Sequence, residues 1–255
     1  MNMKVALQLY TVRDKVAKDY KTALRMVRES GYKAVEFAGH PFSTVEVGEL
    51  RELLDQLGLK PVSAHVSFDI LESDRRDVVF KYACRLGLKY LVSEPDVRRI
   101  DDLNTCIEVT KKMNSIGKDA ESYGLKFGMH NHAIEFEKKI KGAPIYEILV
   151  KNTDPSYVFF QPDVYWIYYA GYDPCEVIKA LKNRCFLIHL KDMKDKVSRG
   201  FIELGRGIID FKAVVEVCES SGVEWYVVET DIPTMDSIES ARSSLEYLRR
   251  NFKVE

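Results

Sequence analysis

Short apolar runs alternate with longer amphipathic stretches along the whole chain. Eight of these runs predict strands: Val5–Tyr10, Ala34–Ala38, Pro61–Val66, Tyr90–Glu94, Lys126–Asn131, Tyr157–Asp163, Phe186–Lys191 and Trp225–Thr230. They are rich in β-branched and aromatic residues and lack a clean polar alternation, as expected of strands covered on both faces. Between them apolar residues recur at helical spacing, as in Val78, Val79, Tyr82, Ala83 and Leu86.

Five amphipathic stretches stop at a glycine just ahead of the next apolar run, at Gly31, Gly58, Gly87, Gly124 and Gly222. A glycine past a helix end takes the left-handed conformation that other residues resist, so it ends the helix there. Strand–helix alternation punctuated in this way predicts a parallel sheet with helical crossovers. Eight strands in 255 residues predict that the sheet closes, giving an α/β chain with a single (β/α)8 TIM barrel as one domain over residues 1–255. An open dinucleotide-binding sheet needs a glycine-rich loop after its first strand. That position reads Gln8-Leu9-Tyr10-Thr11-Val12-Arg13, with no glycine. The only GxG, Gly205-Arg206-Gly207, follows the seventh strand and reads as a loop turn.

Thirty-eight basic residues against thirty-nine acidic ones leave a net charge of -1, without the basic excess of a nucleic-acid binder. The five cysteines form no CxxC pair, and their odd number argues against a disulfide framework and for a reducing compartment. They read as small core hydrophobes. No apolar run is long enough for a signal-peptide core or a membrane span, so a cytoplasmic protein without a membrane partner is expected.

In a barrel of this kind the chemistry lies at the carboxyl ends of the strands. Gln8, Glu36, His65, Glu94, His130, His132, Asp163, His189 with Lys191 and Asp192, and Glu229 fall there. Four of the five histidines are in that group, and His40 follows the second strand. Converging carboxylates repel one another unless a cation sits among them, so a divalent metal is expected. Lys191, two residues past His189, shares its strand face; paired instead with Asp192 it would be a surface ion pair worth little. Trp166 reads either as a platform for a sugar ring or as a core aromatic. Lys138–Lys141 reads as a solvated loop, and Asp231 as a turn cap or a substrate contact.

The chain resembles the xylose-isomerase-like barrel superfamily, the sugar phosphate isomerase/epimerase group. The resemblance rests on Val5-Ala6-Leu7-Gln8-Leu9-Tyr10, Ala34-Val35-Glu36-Phe37, Gly128-Met129-His130-Asn131-His132 with Glu135-Phe136, Asp163-Val164-Tyr165-Trp166, His189-Leu190-Lys191-Asp192, Glu203-Leu204-Gly205-Arg206-Gly207 with Asp210, and Val228-Glu229. It implies one divalent metal at the top of the barrel, held by Asp163, His189, Glu229 and, on the fifth strand, His130 or His132, with His130 the positional match. Manganese is the first expectation, with zinc, cobalt, iron and magnesium as alternatives. Members that epimerise free ketoses carry a glutamate on the fifth strand, where this chain has histidine.

The activity so implied is isomerisation or epimerisation by proton abstraction next to a carbonyl of a keto-sugar or keto-polyol. Glu229 would be the base, and His132, His130 or Glu135 would return the proton. Lys191 would polarise the substrate oxygen, and Gln8, Glu36, His65 and Trp166 would bind substrate. A dehydratase or lyase acting on an inosose or 3-keto-glycoside shares the first step and is the alternative. An abasic-site endonuclease and a sugar-binding barrel without turnover are the remaining readings. The expected partner is a small carbohydrate, with no nucleic acid, and a homo-oligomer is among the assemblies implied.

Overall fold

The computed structural model describes residues 2–255, so Met1, the first residue of the expected domain, lies outside the described residues. Each of the eight apolar runs forms a strand: β1 (Val5–Gln8), β2 (Ala34–Ala38), β3 (Lys60–His65), β4 (Tyr90–Ser93), β5 (Lys126–His130), β6 (Val158–Gln161), β7 (Leu187–Leu190) and β8 (Trp225–Val228). All pair in parallel, in the order β6-β5-β4-β3-β2-β1-β8-β7. The remaining seam, between β6 and β7, is joined by an isolated bridge between Asp163 and His189. There the His189 N–H donates to the Pro162 carbonyl at 2.8 Å. The result is a nearly closed (β/α)8 barrel, as the alternation predicts.

The glycine stops behave as their chemistry requires. Gly58 (φ 61°) and Gly87 (φ 85°) take the left-handed conformation at the ends of helices Val47–Leu57 and Arg76–Leu86. The helices press apolar stripes onto the outside of the barrel; Ala23, Leu24 and Val27 of helix Tyr20–Glu29 are one such stripe.

Inside the barrel a separate apolar plug is built from Ala6, Ala34, Val62, Tyr90, Val92, Phe159, Leu187 and Val227. Strand side chains repeat every two residues, so one step further along the same inner face come Gln8, Glu36, Glu94, Gln161, His189 and Glu229. The interior thus changes from apolar to polar over one layer, toward the carboxyl ends of the strands.

Two short antiparallel hairpins were not legible as strands. The Lys138–Lys141 run is not a free solvated loop: Lys139–Ile140 pairs with Ala143–Pro144, and Lys138 Nζ donates to the carbonyls of Val97 and Arg98. Two-residue strands are too short to leave a periodic signal. The second hairpin pairs Asp192–Met193 with Phe201–Ile202. Among the described residues, no helix is long and apolar enough to cross a membrane.

Gly128 on β5 marks the tightest part of the plug, because a Cβ there would run into the Phe159 ring. Gly128→Val is therefore expected to destabilise the fold by about 1–3 kcal/mol through overpacking, read as a lower urea midpoint.

Candidate active site

At the carboxyl end of the barrel lies a cavity of about 570 Å³. Gln8, His65, Glu94, His130, His132, Lys191, Glu229 and Asp231 give its polar lining, and Tyr10, Val66 and Phe68 an apolar wall. Beneath it Glu36 is fully buried. Its Oε1 accepts from Gln8 Nε2 at 2.8 Å and from His189 Nε2 at 2.5 Å. Its Oε2 accepts from Ser63 Oγ at 2.5 Å and Gln161 Nε2 at 2.8 Å, and His65 Nε2 lies 3.2 Å from Oε1. Burial pushes the Glu36 carboxyl up, but the charges of His65 and His189 outweigh it and hold the group well below the usual carboxylate range. Burial would lower His189, yet Glu36 and Glu229 raise it to about 9.

Lys191 and Asp192 do not form a surface pair. Both are buried, and successive strand residues point to opposite sides. Lys191 Nζ stands 2.8 Å from Glu229 Oε2, 2.8 Å from Asp231 Oδ1 and 3.1 Å from Asp163 Oδ2. Asp192 faces away and accepts four backbone N–H groups, from Met193, Gly205, Gly207 and Ile209. The GxG segment is thus a turn wrapped around a buried carboxylate. Burial raises Glu229, but Lys191 and His189 overcome this and bring it to about 2.

Asp163 divides its two oxygens between fold and site. Oδ1 caps helix Val164–Tyr169 by accepting from the N–H groups of Tyr165 and Trp166. Oδ2 is buried without a hydrogen bond, although Lys191 is close. His189 Nδ1 lies 3.8 Å from that oxygen and 2.9 Å from Glu229 Oε2, while His130 Nε2 is 3.7 Å from Asp163 Oδ2. Donor atoms of Asp163, His189 and Glu229 all lie within 4.8 Å of one another. Two carboxylates, an imidazole and an unsatisfied buried oxygen are a donor set that fits a divalent cation. Glu94, His130 and His132 converge in the same way.

Residues 24–251 match the family described as Xylose isomerase-like TIM barrel. The chain belongs to that family. A sugar phosphate isomerase/epimerase from Parabacteroides distasonis superposes with a TM-score of 0.87 at 24% identity, over 100% of this chain and 96% of that one. D-psicose 3-epimerase with D-tagatose from Clostridium cellulolyticum superposes at 0.73 with 17% identity, over 99% and 100%. Among curated relatives, an inosose dehydratase of Clostridium tetani is 26% identical over 169 residues, 58% of this chain and 55% of that protein. The chain spans about half the length of the first such relatives it matches.

Within this xylose isomerase-like barrel, six of the expected site residues line the cavity: Gln8, His65, His130, His132, Lys191 and Glu229. Asp163, His189 and Glu36 form its floor, so Glu36 meets other side chains where a substrate contact is expected. Trp166 stands beside the cavity, its ring 5.5 Å from the His132 ring and 5.8 Å from Lys191 Nζ. Glu135 is not among the lining residues; it is buried and accepts from the His132 backbone N–H at 2.7 Å. Gln161 and Tyr10 escape the sequence reading. Asp231, read from the sequence as a turn cap or a substrate contact, is among the lining residues.

Two expectations follow from these charges. Lys191→Met leaves Asp163, Glu229 and Asp231 without their shared ammonium, which should cost about 3 kcal/mol at pH 7. Chemical denaturation should show that loss shrinking as pH falls and the carboxylates protonate.

Burial raises Glu135 from 4.5 to about 7, a shift worth about 3 kcal/mol. The folded state holds this proton longer than the unfolded state, so the group's contribution declines as pH rises from 4.5 through 7. Glu135→Gln should therefore stabilise the protein at pH 8 and change little at pH 4.5, as read from urea midpoints at the two values.

Proposed function

We propose that this chain is a divalent-metal-dependent dehydratase that removes water from a small polyhydroxylated ketone of the inosose or keto-sugar class. The carrying observation is the unlike chemistry of the two cavity walls. Across the barrel from β8, where Glu229 is held ionised, stand His65 and His132 with Glu94 between them, at 3.2 and 3.7 Å. Burial lowers His65, but Glu36 and Glu94 raise it well above the ordinary histidine range, so it carries a proton at neutral pH. An ionised carboxylate facing a protonated imidazole is an acid–base pair with assigned roles.

Asp163, His189, Glu229 and His130 would hold the metal, manganese by preference, which supplies Lewis acidity toward the ketone oxygen. Glu229 takes the proton from the carbon beside the carbonyl. The released electron pair forms the carbon–carbon double bond as the hydroxyl on the next carbon departs, protonated by His65 or His132 as water. Lys191 donates to the ketone oxygen, Gln8 orients hydroxyls, and Tyr10 and Phe68 pack on the carbon skeleton. The curated relatives named inosose dehydratase support this reading. Glu94 is the observation that favours a second one: a carboxylate across from Glu229 could return the proton to the opposite face, giving an epimerase.

Incubation with manganese in deuterated water and a panel of inososes, ketoses and 3-keto-glycosides tests the proposal. The expected product is lighter by one water, and Glu229→Gln should slow the reaction by about 10²–10⁴-fold. A product isomeric with its substrate and labelled with deuterium would establish the epimerase. Neither exchange nor product would overturn both.

A further inference from the structure

A dense hydrogen-bond centre lies under the cavity, outside the lining itself. Gln8, Ser63, Gln161 and His189 donate to Glu36, and His65 approaches it. These donors come from four strands, β1, β3, β6 and β7, and Glu36 itself stands on a fifth, β2. We infer that Glu36 is a positioning residue that fixes which ring nitrogen of His189 and of His130 carries the proton, so that both rings turn a lone pair toward Asp163.

The argument is one of donors and acceptors. A carboxylate accepts only, so the His189 nitrogen at 2.5 Å from Glu36, Nε2, must bear a hydrogen. Nδ1 lies 2.9 Å from the Glu229 carboxylate and also bears a hydrogen while the ring is charged. With the other hydrogen held at Nε2 by Glu36, the neutral ring keeps its lone pair at Nδ1, toward Glu229 and Asp163.

The same carboxylate reaches His130 through Gln161. The Gln161 amide Nε2 donates to Glu36 Oε2, which sets the orientation of the amide. Its carbonyl Oε1 therefore faces His130 Nδ1 at 3.2 Å and His65 Nε2 at 2.9 Å. A carbonyl also accepts only, so His130 is protonated at Nδ1. Its Nε2, 3.7 Å from Asp163 Oδ2, keeps a lone pair. Ser63 and Gln8 hold Glu36 on two further sides, so its oxygens cannot rotate away from these partners.

The inference rests on the reading of Asp163, His189 and Glu229 as the reacting centre, but it can be tested without turnover. Long-range ¹⁵N–¹H spectra of ¹⁵N-histidine-labelled protein report the proton position on each ring, and five histidines can be assigned by single substitutions. In their neutral forms, His189 is expected as the Nε2–H tautomer and His130 as the Nδ1–H tautomer. Glu36→Gln should abolish both preferences and weaken manganese binding by about 10–100-fold. Gln161→Met should release His130 while leaving His189 unchanged, a split that general loosening of the fold would not produce.

A wild-type spectrum with His130 protonated at Nε2, or with His189 protonated at Nδ1 alone, overturns the inference whether or not the variants fold. Unchanged tautomers in a folded Glu36→Gln variant overturn it too. The expected tautomers in a protein that binds no divalent ion would leave this inference standing and sink the metal-dependent dehydratase.

Discussion

Four carboxyl groups, those of Glu36, Asp163, Glu229 and Asp231, lie close together at one end of a barrel, three of them fully or almost fully buried. Like charges a few ångströms apart repel by several kcal/mol where water is scarce, so this end of the molecule stands only if positive charge is built in beside them. Lys191 meets three of the four, and His189 joins Glu36 to Glu229. The raised histidine and the depressed glutamates are two sides of this single balance. A lysine ammonium beneath a cavity, with its stem packed and its charge caged, serves the fold as well as any chemistry above it.

The barrel makes that arrangement affordable by layering. The apolar plug excludes water from below, and the polar floor begins one strand step above it. Closure adds a second constraint, because the Asp163–His189 bridge joins β6 to β7. The contact that closes the sheet thus sets two of the candidate metal donors side by side. Asp163 also starts the following helix, so strand pairing, helix capping and donor placement converge on one residue. Such overlap holds a donor rigidly, as a metal or a bound ketone would require.

The strands and the rim were legible because polar residues gather near the strand ends and five amphipathic stretches stop at a glycine. Depth was not legible. Glu36 and Glu229 look alike in sequence, as acidic residues near strand ends, yet one lies under the floor and the other lines the cavity. The β2–β3 pairing also shifts register between Val35 and Glu36, and nothing in the local sequence announces it. Gln161 was passed over although it stands two residues before Asp163 on the same face. Lys191 and Asp192 show the reverse case: period-two alternation separates them, and the shared-face reading of Lys191 with His189 was the sound one.

Histidine on β5 fits the same electrostatic logic. A carboxylate at position 130 would add another anion within reach of Asp163. Burial, together with the nearby charges of His189, His65, His132 and Lys191, lowers the His130 imidazole well below its ordinary range, so it stays neutral. A neutral ring offers a lone pair without worsening the crowding of charge. It also leaves β5 without a carboxylate on the cavity wall, where Glu94, Glu229 and Asp231 are the acidic groups. The two sides of the cavity therefore differ in make-up, with carboxylates gathered around the Lys191 ammonium on one side and imidazoles around Glu94 on the other.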